Sequence, residues 1–198
     1  EQGTPLVFVD RAPNGLLADA VVTDNYEAAV EATRHLISHG HRHIAHLGDE
    51  PATTTARGRR LGFSDAIVAA GLIDTCREVN AVRSEHEAYA AVHGLMQLDH
   101  PPTALFTSHY LITLGTIRAL HDLQLERTAA LVGFDDIVLA DLVRPAITVM
   151  AQDPARLGTL AAERIFARLD GDTSPVHTVV VPAKLIIRGS GEIPPVDR

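Results

Sequence analysis

Asp24-Asn25-Tyr26-Glu27-Ala28-Ala29-Val30-Glu31-Ala32-Thr33-Arg34-His35-Leu36-Ile37-Ser38-His39-Gly40-His41-Arg42-His43-Ile44-Ala45-His46-Leu47 is the stretch whose reading decides the fold. Asp24 can cap a helix, and Glu27 three residues on completes a capping box. Ala29, Ala32 (or Thr33) and Leu36 recur at helical spacing, and Gly40 supplies a C-terminal stop. Ile44 to Leu47 then reads as a short buried strand. Val21-Val22 leads into the same helix from the other side.

The alternation continues outward in both directions. Leu6-Val7-Phe8-Val9 is an apolar strand broken by Pro13-Asn14-Gly15. Thr53 to Arg57 opens a helix with Phe63, Ile67 and Ala70 on one face and Gly71 at its end. Ser84 and Glu87 form a second capping box, ahead of a helix through Val92, Leu95 and Met96. Ala104-Leu105-Phe106 is a strand, a helix runs to about Leu123, and Ala130-Leu131-Val132 is a further strand. Ile147 to Met150 is extended, and Asp153 caps a helix with Pro154 in its first turn. Leu157, Leu160 (or Ala161), Ile165 and Leu169 form its apolar face, and Gly171 ends it. Val179-Val180-Val181 and Leu185-Ile186-Ile187 are late strands. Strands alternating with helices predict an α/β fold, with parallel sheets flanked by helices. Ligands in such folds bind beyond the carboxyl ends of the strands. The positions to watch are therefore Asp10-Arg11, Thr53 to Arg59, Ser108-His109-Tyr110 and Asp135-Asp136.

Bulk properties narrow the function classes. A chain of 198 residues suggests one or two compact units. No apolar run approaches the ~18 residues of a membrane span, and no export leader is visible. One cysteine, Cys76, excludes an internal disulfide and suits a reducing, cytoplasmic compartment. Net charge is −8, from 17 Lys and Arg against 25 Asp and Glu, with no basic block. A phosphate-gripping surface is usually basic, so these residues alone should bind nucleic acid poorly. No Gly-x-Ser-x-Gly, Walker lysine pattern, Gly-x-Gly-x-x-Gly after a strand, or Cys-x-x-Cys occurs. Ser64 follows Gly62-Phe63 but lies mid-helix, a poor place for a nucleophile. We expect no catalysis and no cofactor.

Two polar positions stand out on chemistry. Asp135 follows an apolar strand and a Gly-Phe turn, where a carboxylate can accept two hydroxyl hydrogen bonds from a polar ligand. One of Asp135 and Asp136 can instead cap the next helix, and Asp136 has more the look of the cap. Arg57, Arg59 and Arg60 sit in four residues of a helix start, where spacing sends them in different directions. His35, His39, His41, His43 and His46 tempt a metal reading, but the Gly40 stop divides them and no carboxylate or cysteine completes a site.

The Asp24 to Ala45 segment, Arg59-Arg60-Leu61-Gly62-Phe63 and Val132-Gly133-Phe134-Asp135-Asp136-Ile137, in this order, together resemble the effector-binding core of the LacI family of bacterial transcription regulators. The match runs from about Pro5 to Ser190. The resemblance implies a periplasmic-binding-protein-like (type I) fold with two subdomains, the N-terminal one incomplete here. Residues 1–13 would be a remnant of that subdomain and 14–147 the effector-binding subdomain. Residues 148–177 would return to the first, and 178–198 would end in the second. It implies that a DNA-binding headpiece and the start of the core precede residue 1, that operator DNA is contacted only through that headpiece, and that no membrane is involved. A sugar-like effector would lie between the subdomains, near Asp10, Thr53, Thr55, Arg59, Arg83, His109 and Asp135. Asp10 has a plain alternative as a turn cap before Pro13. Arg59 is the arginine four residues before the Phe, whose planar fork suits a pair of hydroxyls or a carboxylate. A homodimer would form through Thr113, Ile117, Ala140 and Val143. Two departures bear on the ligand: His109-Tyr110 replaces the usual Asn-Asp, and Arg83 stands where an aromatic is common. With Arg59 they leave an acidic or phosphorylated ligand open beside a neutral sugar. An exported sugar-binding protein of the same fold is the main rival.

Overall fold

The structure, a computed structural model, describes residues 4–50 and 52–196. The chain divides into two units, one built from residues 4–24 and 152–183, the other from 25–151 and 184–196.

The smaller unit holds a parallel sheet in the order β1 (Val7–Val9), β2 (Asp19–Thr23), β8 (Thr178–Val181). Helix α5 (Pro154–Leu169) covers one face of it. Val21 and Val181 pack there against Leu157 and Ala161. Asp153 caps α5 by accepting from the Arg156 N–H at 2.8 Å. Buried Asp19 organises the polar side of this unit. Its carboxylate accepts from Arg168 Nε at 2.7 Å and from the His177 N–H at 3.0 Å, and it pairs with Arg164 Nε at 3.0 Å. Burial pushes the Asp19 carboxyl up, but Arg168, His177 and Arg164 outweigh that and hold it well below the usual carboxylate range. Removing one partner of such a buried pair leaves an uncompensated charge and typically costs about 3–5 kcal/mol.

The larger unit is a six-stranded sheet in the order β4 (Arg77–Val79), β3 (Ile44–Leu47), β5 (Ala104–Thr107), β6 (Ala130–Phe134), β7 (Thr148–Ala151), β9 (Lys184–Ile186). Every pairing is parallel except β7 with β9. Helices α1 (Asn25–Ser38) and α2 (Thr54–Ala69) pack on each other, as do α3 (Glu85–Met96) and α4 (Tyr110–Asp122). Strand alternation sends Leu47, Leu105, Leu131 and Val149 into one apolar cluster with Val92, Ile112 and Leu120 of α3 and α4. Each helix pair depends on a glycine at its closest approach. A Cβ on Gly62 of α2 would run into the Tyr26 carbonyl and the Ala29 side chain of α1. A Cβ on Gly115 of α4 would meet the Glu85 carbonyl and Ala88 of α3.

Several expectations need correction. The unit boundaries fall at 24/25, 151/152 and 183/184 rather than 13/14, 147/148 and 177/178. The reason is strand pairing: β2 takes its ladder from β1 and β8 in the smaller sheet, whereas β7 pairs with β6 in the larger one. Asp24 uses its carboxylate to accept from the Ala183 N–H at 2.8 Å. The Ser84–Glu87 capping box forms as expected. Strand β4, with one exposed and two half-buried residues, gave no apolar signal in the sequence.

The histidine run serves the core and the C-terminal tail. His35 pairs with Glu192, which also accepts from Thr148 Oγ1 at 2.9 Å. His41 is buried, with Nε2 donating to the Ile193 carbonyl and Nδ1 on Thr103 Oγ1, both at 2.8 Å. His46 of β3 lies between Phe63 and Phe106, with ring centroids 5.1 and 5.3 Å away. It is fully buried, and neither ring nitrogen has a hydrogen-bond partner among the described residues. No group of three or more metal-ligating side chains occurs among the described residues.

His46 therefore makes the fold acid-sensitive. Burial, with Arg60 and Arg59 nearby, lowers its pKa to about 3, against about 6.5 unfolded. The unfolded state binds the proton first, so stability from this residue falls as pH drops below about 6.5, by up to about 1.4 kcal/mol per pH unit. His46→Phe should flatten the stability profile between about pH 6.5 and pH 4. Urea midpoints across that range check it, and an unchanged slope in the variant would contradict it.

Candidate functional site

The carboxyl ends of β4, β3, β5 and β6 lie side by side because these strands are neighbours and parallel. The segments leaving them carry Arg83, Asp49, Ser108-His109 and Asp135 in turn. Helices α1, α2 and α4 begin at the same edge, so their N-terminal residues join the cluster.

Arg59 is its centre. It sits in the second turn of α2 and is only 6% exposed. Its Nε donates to Asn25 Oδ1 at 2.7 Å, and Nη1 donates to the Ser108 carbonyl at 2.5 Å. The guanidinium carbon lies 3.6 Å above the centre of the Phe134 ring. One side chain is thus fixed by α1, by the β5–α4 turn and by β6. A cation over a desolvated aromatic face is stabilised by the ring quadrupole, and hydrogen bonds from a charged group are the stronger kind.

Thr53 caps α2, its hydroxyl accepting from the Ala56 N–H at 3.2 Å, and lies 3.2 Å from the hydroxyl of buried Thr55. Asp135 adopts φ 74° directly after β6, a left-handed conformation in which Asp and Asn are enriched. Its N–H donates to the Met150 carbonyl at 2.9 Å, which fixes the turn. Asp136 leaves the cluster for Arg188, pairing at 2.6 and 2.8 Å, and does not act as a helix cap.

His109 stands at the N-cap of α4 without a side-chain capping bond. Burial pushes its imidazole below the ordinary value. The Asp49 carboxylate opposes this, Arg59 reinforces it, and Asp135 and a bond to Val82 oppose it again. The net lowering keeps His109 neutral at pH 7, able to donate and accept. Arg83 is exposed and compensated by Asp49 at 3.3 Å and by Glu50, while its backbone N–H donates to Glu87 at 2.7 Å.

Five expected residues (Thr53, Thr55, Arg59, His109 and Asp135) therefore come to one edge of the larger sheet, with Arg83 at its margin. Asp10 belongs to the smaller unit, at the end of β1, with φ 69° and its N–H on the Val21 carbonyl at 2.9 Å. Two expected dimer contacts are corrected. Thr113 is fully buried, packed against Gly133 with its hydroxyl 2.8 Å from Thr107, and Ala140 is 2% exposed. Neither can present a side chain to another molecule. Ile117 and Val143 are half-buried and border a small apolar recess with Pro145. Asn25 and Phe134 were missed. Both sit where a strand ends or a helix starts, the same positional rule that singled out Asp135.

Residues 33–191 match the profile of the periplasmic binding protein-like domain. The chain is 34% identical to the HTH-type transcriptional regulator PtxS of Pseudomonas plecoglossicida, over 97% of this chain and 56% of the relative. It is 29% identical to the HTH-type transcriptional repressor PurR of Pasteurella multocida (strain Pm70), over 94% of this chain and 57% of the relative. The chain thus spans little more than half the length of these curated relatives. A LacI transcriptional regulator from a Rhodococcus species superimposes with a TM-score of 0.85 at 27% identity, covering 94% of this chain and 69% of that one. Over most of its length, this chain belongs to the periplasmic-binding-protein-like domain family, in the form that makes up the core of LacI-type transcription regulators.

Proposed function

We propose that this chain is the ligand-sensing core of a transcriptional repressor and that its effector is a small polyhydroxylated molecule held at the carboxyl edge of the larger sheet. The observation that carries the reading is the buried Arg59, oriented by Asn25, Ser108 and Phe134 beside Asp135. A preorganised fork and a carboxylate next to a neutral imidazole and threonine hydroxyls suit several hydroxyl groups at once. The charge pattern favours a neutral, sugar-like effector over an acidic one. Asp49, Glu50 and Asp135 face two guanidiniums, and Arg83 is already compensated.

Operator contact belongs, on this reading, to a segment of a longer protein outside these residues. The net charge of −8 supports that placement. The effector acts by binding one of two conformations better than the other, which shifts their populations. The role is binding rather than catalysis, as in the regulators it is similar to.

A thermal-shift screen of neutral sugars, sugar acids, sugar phosphates and purines tests the reading. Ligand at 100 times Kd adds about 2.7 kcal/mol, a midpoint rise of roughly 5–10 °C. Asp135→Asn tolerates the left-handed turn while losing the charge, and should reduce the response at least about tenfold in ligand concentration. Arg59→Lys keeps a cation in the buried site but removes the fork, and should do the same. A neutral sugar whose shift survives both substitutions would overturn the site, and a sugar acid or phosphate as best ligand would overturn the neutral class.

The same protein should form a homodimer through the half-buried Ile117 and Val143, with exposed Val138, Leu139 and Leu142 nearby in sequence. A charge at Ile117 would be desolvated in that contact. Ile117→Asp should convert dimer to monomer in sedimentation velocity, and an unchanged dimer peak would contradict the assignment.

A further inference from the structure

At the opposite edge of the six-stranded sheet, before β3 and β5 begin, lies a second concavity of about 230 Å³. Arg42, His43, His100 and Thr103 line it together with Pro195 and Val196. Its frame is rigid. Buried His41 ties Thr103 to the Ile193 carbonyl, and Gly40 brings Pro195 close. The His43 and His100 rings face this space with centroids 6.3 Å apart and planes at 43°. Neither ring makes a hydrogen bond to another described residue, and no carboxylate pairs with Arg42 among them. Arg42 uses only Nη1, on the Ile37 and His41 carbonyls, which leaves Nε and Nη2 for an acceptor.

We propose that this pocket binds a small oxyanion, of the phosphate type. The donors present are a guanidinium and two imidazoles able to donate N–H, and the wall carries no acidic group. Geometry separates an anion from a metal ion. Zinc-to-nitrogen bonds of about 2.0–2.1 Å on both rings would need a nearly linear bridge at the observed separation. Hydrogen bonds of about 2.8 Å to two different oxygens of one anion span the same gap with bent, ordinary geometry. The pocket is independent of the effector site, since none of its residues takes part in the Arg59 cluster.

Long-range proton–nitrogen spectra of the histidine side chains, recorded while inorganic phosphate is titrated at constant ionic strength in chloride, test the assignment. At fixed pH, His43 and His100 should shift with a saturable curve. His86 and His121, exposed on other helices, should not. Arg42→Gln should weaken the apparent affinity about tenfold, the loss of a charge-assisted contact. Glycerol phosphate run in parallel binds more tightly than inorganic phosphate where a phosphomonoester is the occupant, and less tightly where the free ion is. Linear shifts shared by all exposed histidines, or saturation indifferent to Arg42→Gln, would overturn the proposal. So would binding of zinc, but not phosphate, by His43 and His100.

Discussion

A buried cation fixed at the carboxyl edge of a parallel sheet is the constraint on which the rest of the site depends. Arg59 is desolvated, and its partners include the Asn25 amide oxygen, the Ser108 carbonyl and the Phe134 ring. Each comes from a different element, so the guanidinium can be satisfied only when α1, α2, the β5–α4 turn and β6 are all in register. The same arrangement that pins the side chain delivers Asp135, His109 and the α2 threonines to one edge. On the proposed reading, orientation is settled before any ligand arrives, which lowers the entropic cost of binding.

The scaffold behind that edge is held by simple packing rules. Parallel strands buried on both faces send alternate residues to two helical layers, and Gly62 and Gly115 set how closely each helix pair approaches. Polar groups inside are tolerated where they are paired, as Asp19 is with two arginines in the smaller unit. His46 is one exception, a polar ring among phenylalanines that stays neutral because burial disfavours its charge.

Much of this was legible in the sequence. Helical spacing in Ala29, Ala32 and Leu36 with the stop at Gly40, the Ser84–Glu87 box and Asp153-Pro154 located three of the five helices among the described residues. Residues after strands marked Asp135 and Ser108-His109 as site candidates. What stayed hidden required three dimensions. Strand β4 has too little apolar pattern to announce itself, and the assignment of β2 and β7 to their sheets follows from pairing between segments far apart in sequence. Thr113, on α4, and Ala140, in the turns after β6, face inward for a related reason, since core and solvent sides cannot be told apart without knowing what packs on them. From the sequence, Arg83 left an acidic ligand open, and only the fold shows it paired with Asp49 and Glu50, distant in sequence. Asn25 read as the first residue of a helix, and only the fold shows its amide oxygen on Arg59.

The central claim is that ligand sensing happens at the edge organised by Arg59. Backbone hydrogen exchange, measured with and without the ligand that gives the largest thermal shift, tests it most directly. The account predicts slowed exchange concentrated at Thr53 to Arg59, Ser108 to Thr113 and Phe134 to Ile137. Protection confined to other surfaces, with those three segments unchanged, would contradict it.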